Sequence, residues 1–287
     1  MSTEKPKQSD GYVLQRGGMA SARLSHQHFA ALQMQKWLFH PNVQAHLNNV
    51  STPKIADLAT GNGIWASELS EQMPEAEIVC TDITDSQFPT KAGRPANTKW
   101  IVHDLFEPPP QEYLGYFDVV HMRISIAWII GKDWNSLVSN ILAILRPGGW
   151  IQWEEVVAPP GENPSCLWSI DPEGNIKREM PDFWQTMFSY TGLMAGMKWA
   201  YTLPEVFKQF GLEKTEGYEP KPRASILTAQ AECLRWGSEE LYGYFVNAGV
   251  VDAQRNLDEF REKSAKFYAS GWGAAYGWMI AIGRKPS

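Results

Sequence analysis

The sequence predicts an α/β protein built on a doubly wound parallel sheet. Three observations carry that prediction. From Lys54 onward, short apolar runs alternate with longer amphipathic ones, the rhythm of βαβ units. A glycine stretch, Gly61-Asn62-Gly63, stands where the first such strand hands over to the first helix. Acids mark the ends of the first three strands: Asp57 just before the glycine loop, Asp82 ending the second strand and Asp104 following the third. Right-handed crossovers then place helices on both faces of the sheet.

The elements follow in order. Met1 to Asp10 is polar and reads as a frayed tail without a secretory signal. Ser21 to Val43 carries Leu24, Phe29, Leu32, Trp37 and Leu38 at roughly helical spacing, so one or two helices are expected, ending near Pro41. Strands are expected at Ile55–Ala59, Glu77–Thr81, Thr98–His103, Phe117–Met122 and Trp150–Val156. Helices are expected at Ile64–Met73 and Trp134–Leu145, the second stopped by Pro147-Gly148-Gly149. Pro159 to Pro181 reads as loop, followed by helices at Asp182–Met197 and Leu203–Phe210 and a sixth strand at Gly211–Tyr218. Ala229 to Phe267 reads as helix broken near Gly249, and Ala274 to Arg284 as a closing strand.

Composition excludes several function classes. The chain has 287 residues, 44% hydrophobic and 20% charged, enough for a sizeable core. Its 26 basic against 32 acidic residues leave a net charge of −6, which argues against nucleic acid as a partner. Cys80, Cys166 and Cys233 are odd in number and widely spaced, so a disulfide framework and a zinc knuckle are not expected and a reducing cytoplasm fits. The longest apolar run, Ile124 to Ile130, is far short of the roughly 18–20 residues that span a membrane. With neither internal repeat nor clean linker, one core domain with helical additions is expected.

Chemistry concentrates at the strand ends. Glycines in Asp57-Leu-Ala-Thr-Gly61-Asn62-Gly63-Ile-Trp-Ala66 let the backbone turn tightly and approach a ligand. Asp82 stands 19 residues after Gly63, where an acid can accept from both ribose hydroxyls. Asp104 can accept from an adenine amino group. Asp57 just before the loop would repel a pyrophosphate and welcome an ammonium, which leans away from a nicotinamide dehydrogenase. A plain strand–helix turn is the bland alternative for the loop.

With Leu145-Arg-Pro-Gly-Gly-Trp150 leading into the fifth strand, the whole set resembles a class I S-adenosylmethionine-dependent methyltransferase over roughly Lys54 to Val156. Tyr12-Val-Leu, Ala20-Ser-Ala-Arg23-Leu, Gln27-His28, Phe106-Glu-Pro, Phe117-Asp-Val-Val-His-Met-Arg123 and Gln152-Trp-Glu-Glu155 are similar to fungal specialised-metabolite methyltransferases, the group that includes the gliotoxin-pathway N-methyltransferase. The resemblance implies a Rossmann-like, seven-stranded sheet with its last strand antiparallel, N-terminal helices and a helical lid insertion. It implies S-adenosyl-L-methionine as cofactor. Asp57, Gly61, Asn62 and Gly63 would lie beside its methionine part, Asp82 with Ile83 at the ribose, and Asp104 with Leu105 at the adenine. His121 and Met122 would lie near the methyl group, and Arg23 at the carboxylate, with a surface ion pair as Arg23's alternative. Ala59 departs from the family pattern, which has glycine there. On this reading 1–50 is tail and lid helices, 51–158 the cofactor-binding core, and 159–287 lid, insertions and closing strands.

Methyl transfer leaves the activation to the cofactor and asks the protein for alignment and a dry pocket. All six histidines fall in the first 121 residues, and His28 is the candidate base, against the alternative of an ordinary packed or solvated helix histidine. Glu154 is the second candidate. Alternation sends Glu154 and Glu155 to opposite faces, so at most one of the two is expected in a pocket; a helix cap or surface pair is the alternative. Trp153, Phe183, Trp184 and Met187 are the candidate substrate wall, within a stretch that also holds Phe188, Tyr190, Met194, Met197 and Trp199. Core packing is their alternative; as a wall they suit an apolar or aromatic small molecule. No metal spacing is present. The function expected is methylation of O, N or S on a small specialised metabolite. The alternatives are a methyltransferase-fold cyclase that keeps the cofactor without transfer, and a methyltransferase-like regulatory protein.

Overall fold

The computed structural model describes residue 14 and residues 16–129, 131–161 and 165–287, with backbone alone at 189–191 and 227–228. The expected tail, Tyr12 and Val13, residues 162–164 of the expected loop and the Tyr190 side chain lie outside that description.

The chain forms α1 (Gly18–Gln35), α2 (Pro41–Leu47), β1 (Lys54–Leu58), α3 (Ile64–Gln72), β2 (Glu77–Asp82), β3 (Thr98–Val102), β4 (Phe117–Arg123), α4 (Ile126–Ile129), α5 (Trp134–Ile144) and β5 (Leu145–Val156). There follow β6 (Leu167–Ile170), β7 (Ile176–Lys177), α6 (Asp182–Thr191), α7 (Leu193–Ala200), α8 (Leu203–Gln209), β8 (Glu213–Tyr218), α9 (Leu227–Asn247), α10 (Ala253–Ala269), β9 (Gly273–Tyr276) and β10 (Trp278–Arg284).

Seven strands make the main sheet in the order β3-β2-β1-β4-β5-β10-β8. β1 to β5 pair in parallel, and β10 runs antiparallel to both β5 and β8. The central strands are buried on both faces, which explains their unbroken apolar runs. The strand order reverses between β1 and β4, and a crevice opens there beyond the carboxyl ends of the strands.

Local chemistry sets the boundaries. Asp133 caps α5 by accepting from the Asn135 N–H, and Leu137, Val138, Ile141 and Ile144 bury its inner stripe. Gly149 lets β5 approach β4: a Cβ there would stand 2.9 Å from the Phe117 carbonyl oxygen.

Four expectations are corrected. Pro41 begins α2 rather than ending a helix, because proline at the first turn loses no hydrogen bond; the preceding helix stops at Lys36 in a left-handed cap. Asp182–Met197 is two helices, split at Gly192 with φ +65°. The segment read as loop holds β6 and β7, and the closing stretch splits at Gly277 into β9 and β10. These give a second sheet, β7-β6-β9, too short in each strand to show an alternating pattern. Among the described residues no helix is long and apolar enough to cross a membrane.

α9 packs on β9, α10 and α1, and α1 in turn reaches α3, so the helical additions close over the carboxyl edge of the sheet.

Candidate functional site

A cavity of roughly 190 Å³ occupies the crevice between β1 and β4. Its floor is the loop after β1. Ala59, Gly61 and Gly63 stand there at φ +52°, +58° and +71°, and the Thr60 N–H donates to the Thr81 carbonyl. Ala59 adopts the backbone that glycine takes without strain, which accounts physically for glycine at this place in the family pattern. Thr60 Oγ1 donates to Asp57 Oδ2 at 2.5 Å, and the Gly61 N–H donates to Asp82 Oδ2 at 2.9 Å.

Asn62 holds the loop from outside. Its Nδ2 donates to the Ser21 carbonyl and to Ser25 Oγ, both at 2.9 Å, so α1 is tied across the loop. Arg23 Nε reaches Glu240 Oε2 at 3.1 Å, which ties α1 to α9 over the same cavity. The opposite rim carries strain. Ile124, β-branched, is held at φ +53° on the cavity wall, a conformation costing on the order of 1–3 kcal/mol that is met chiefly at functional sites.

The wall changes character along its length. One end is polar, with Asp82, Ile83, Gln87, His103, Asp104 and Lys132, and with Phe106 and Trp128 edge to face at 6.1 Å. The other end is an apolar chamber of Val156, Met187, Phe188, Leu193, Met197 and Leu241, with Ser238 and Tyr276 as its polar points. Burial pushes the Asp82 carboxyl above its ordinary value, and the Gly61 N–H offsets only part of this. Burial likewise pushes the Cys233 thiol up to about 12, leaving it a protonated, unreactive part of the chamber wall.

A buried polar chain reaches the cavity wall at Asp57 and His121. His121 Nδ1 is 2.8 Å from Asp57 Oδ1, its Nε2 3.6 Å from Glu154 Oε1, and its ring stacks on Trp65 at 3.7 Å between centroids. Burial opposes charge on His121, but the hydrogen bond to Asp57 and the nearby Glu154 carboxylate outweigh it and hold the imidazole above its ordinary pKa. Burial likewise opposes ionisation of Glu154, and His121, Arg123 and Gln35 overcome it.

The structure brings Arg23, Asp57, Gly61, Asn62, Asp82, Ile83, Asp104, Leu105, His121 and Met187 to the cavity wall. Other expected residues stand elsewhere. His28 is buried between Arg123, which donates to Nδ1 at 3.1 Å, and Glu68 at 2.6 Å from Nε2. Burial and Arg123 keep its pKa low against the pull of Glu68, and both ring nitrogens are engaged, so it is not placed as a base. Glu154 and Glu155 are both fully buried and neither faces the cavity: Glu154 accepts from Gln35 and Gln152, Glu155 from Ser125. Trp153 is core, donating to Ser125 Oγ. Phe183 and Trp184 pack with Phe260 and Phe267, one layer behind the wall, where Trp184 reaches Ser238. Met122 faces the core. Gly63 backs onto the Trp100 ring, which leaves no room for a Cβ.

Sequence reading missed Trp65, Trp128, Gly237, Ser238, Leu241 and Tyr276. Cys233, Gly237 and Leu241 recur every four residues along α9, one face with a small residue at its centre, and that spacing was the available signal.

Residues 55–149 match the family model described as a methyltransferase domain. The sheet order, the glycine loop and that match define a class I methyltransferase fold. The chain is similar over about half its length to named fungal methyltransferases. It is 34% identical over 165 residues to methyltransferase grgD of Penicillium sp, covering 54% of this chain and 55% of that one. It is 28% identical over 155 residues to N-methyltransferase gliN of Aspergillus fumigatus, covering 53% of each. The chain thus spans about half the length of the curated relatives it matches. A solved structure of a putative sarcosine dimethylglycine methyltransferase from Galdieria sulphuraria aligns with TM-score 0.52 at 16% identity, over 96% of this chain and 92% of that one. At such identity the likeness concerns the fold alone.

Proposed function

We propose that this chain is an S-adenosylmethionine-dependent methyltransferase acting on O, N or S of a small, apolar or aromatic specialised metabolite. The observation that carries the reading is one continuous cavity, with strand-end carboxylates at one end and an apolar chamber at the other.

The residues present fit the cofactor. Asp82 has acceptor capacity beyond its bond to Gly61, suited to ribose hydroxyls. Gln87 Nε2 is buried at the polar end without a hydrogen-bond partner among the described residues. A Cβ on Gly61 would meet Leu24 at 3.0 Å, so the bare backbone leaves space between loop and α1. Asp57 offers negative charge to an ammonium, Arg23 positive charge to a carboxylate. When bound, S-adenosylmethionine supplies a methyl group activated on a cationic sulfur.

The protein's part is orientation and exclusion of water. Phe188, Leu193, Met197 and Leu241 shape a dry chamber, and Ser238 and Tyr276 give it two polar contacts that fix a ligand's direction. No unengaged base stands in the chamber among the described residues, which fits an acceptor that is nucleophilic once neutral. The N-methyltransferase among the relatives supports nitrogen within the three acceptors. The described parts of 1–50, 51–158 and 159–287 serve here as lid, cofactor core and substrate enclosure.

The test is incubation of the purified protein with S-adenosylmethionine and a panel of small heteroaromatic and cyclic amide metabolites. A product heavier by one CH2, with S-adenosylhomocysteine released in equal amount, is expected. A rearranged product of unchanged mass with the cofactor intact would replace transfer by cyclisation.

A further inference from the structure

Asp57 and His121 sit at matching positions on β1 and β4, neighbours in the parallel ladder. Glu154 on β5 approaches the imidazole from its other nitrogen. The two carboxylates are 3% and 0% exposed. Trp65 covers the ring face, and Gln152 and Gln35 add only neutral amides around Glu154. Among the described residues the remaining nearby charge is Arg123 of β4, with Nη1 4.0 Å from Glu154 Oε2, beyond which His28 of α1 and Glu68 of α3 pair with each other; the Cys80 thiol of β2, next to Asp57, is kept protonated by burial.

An imidazole that faces a carboxylate from each nitrogen is complementary only with a proton on both, since a neutral tautomer would turn a lone pair on one of them. Two carboxylates buried this deeply also need a cation between them. His121 provides it, while the Thr60 hydroxyl donates to the other oxygen of Asp57.

We propose that His121 is a fixed counter-cation that keeps Asp57 a carboxylate under the glycine loop, so that the protein itself preforms the anionic contact for a ligand's ammonium group. The inference rests on the cofactor reading above and deepens it. His121 is a positioning residue in this role. Neither nitrogen is available to take a proton from a substrate, so its part in the reaction is to fix the charge and direction of Asp57.

The test compares S-adenosylhomocysteine, which carries the ammonium, with methylthioadenosine, which has the same nucleoside without it. Calorimetry gives the ratio of the two affinities at about pH 7 and about pH 5.5, a range in which an α-ammonium stays mostly charged. Titration of Asp82, which faces the shared nucleoside, cancels in the ratio. The wild-type ratio is expected to change less than about threefold. In His121→Asn it is expected to fall about tenfold or more on acidification, as Asp57 loses its charge. Glu154→Gln leaves the Nδ1 contact in place and should keep the wild-type ratio at acid pH. A flat ratio in His121→Asn, or the same loss in both variants, overturns the proposal.

Imidazole nitrogen resonances of the wild type give a second readout that needs no variant to fold. Both nitrogens protonated at about pH 8 supports the bridge, and a neutral tautomer overturns it. Wild type that binds methylthioadenosine but gains nothing from the amino-acid part overturns this inference and leaves the nucleoside site standing. Wild type that binds neither ligand overturns the cofactor reading and the inference with it.

Discussion

The Gly61 backbone N–H donates to Asp82 Oδ2 across 2.9 Å, so the loop after β1 is tied to the end of β2. That bond links cofactor affinity to stability through one carboxylate. Burial raises the Asp82 pKa, and for a carboxyl raised in the fold the stabilising contribution is present at acid pH and fades as pH rises through the folded value. Burial therefore disfavours the ionised form of Asp82. Asp82→Asn keeps an acceptor for Gly61 and removes that charge. Its melting temperature at neutral pH should rise while its affinity for S-adenosylhomocysteine falls about tenfold. Calorimetry and a thermal melt check both signs; a lower melting temperature with unchanged affinity contradicts the assignment.

Glu155 sets a second pH dependence. Burial pushes its pKa from 4.5 up to about 7, although Ser125 donates to it from both N–H and Oγ at the start of α4. The contribution is complete below about pH 4.5 and is lost as pH rises through about 7, so the wild type should melt at lower temperature as pH rises across that window. Glu155→Gln should flatten this slope. Melting curves at several pH values decide it, and parallel slopes in the two proteins would contradict the prediction.

Gly63 has no room for a side chain. Its φ is +71° and an added Cβ falls against the Trp100 ring. Gly63→Ala should cost about 2 kcal/mol or more in stability, from overpacking and backbone strain together. Chemical denaturation measures this. Shortening the ring with Trp100→Leu in the same chain should return part of the loss, and a double variant no better than the single one would contradict the contact.

Ala59 gives the opposite sign. With φ +52° it occupies the left-handed region, and Ala59→Gly should relieve on the order of 1 kcal/mol of strain, partly offset by the greater freedom of glycine in the unfolded chain. The variant should melt at the same or slightly higher temperature with cofactor affinity preserved. A clear destabilisation would show that the methyl group packs favourably on the cavity wall.

The parallel core was legible because its central strands are runs buried on both faces, as in Ile55-Ala56 and Val119-Val120. The strand-end and loop residues of the cavity wall were legible because the strand ends and glycine loop fix their places in sequence. The second sheet was not: β7 is two residues long and β9 borders β10 without an intervening loop, leaving no period to detect. The chemistry of the glutamates was hidden for another reason. Glu154 and Glu155 do point to different partners, as alternation requires, but whether a face is cavity or protein depends on Gln35 and Ser125, which are far away in sequence. Trp153 and Trp184 were misplaced in the same way: a large aromatic suits a wall or a core equally, and only the packed neighbours Trp199 and Phe260 decide.

The central claim is that the crevice between β1 and β4 binds S-adenosylmethionine. Calorimetric titration of the purified protein with S-adenosylmethionine, then S-adenosylhomocysteine, with NADH as control, tests it most directly. The account predicts binding of both adenosyl ligands at about micromolar affinity, loss of both in Asp82→Ala, and no heat from NADH. Absence of binding by either adenosyl ligand, or binding that survives Asp82→Ala unchanged, would contradict it.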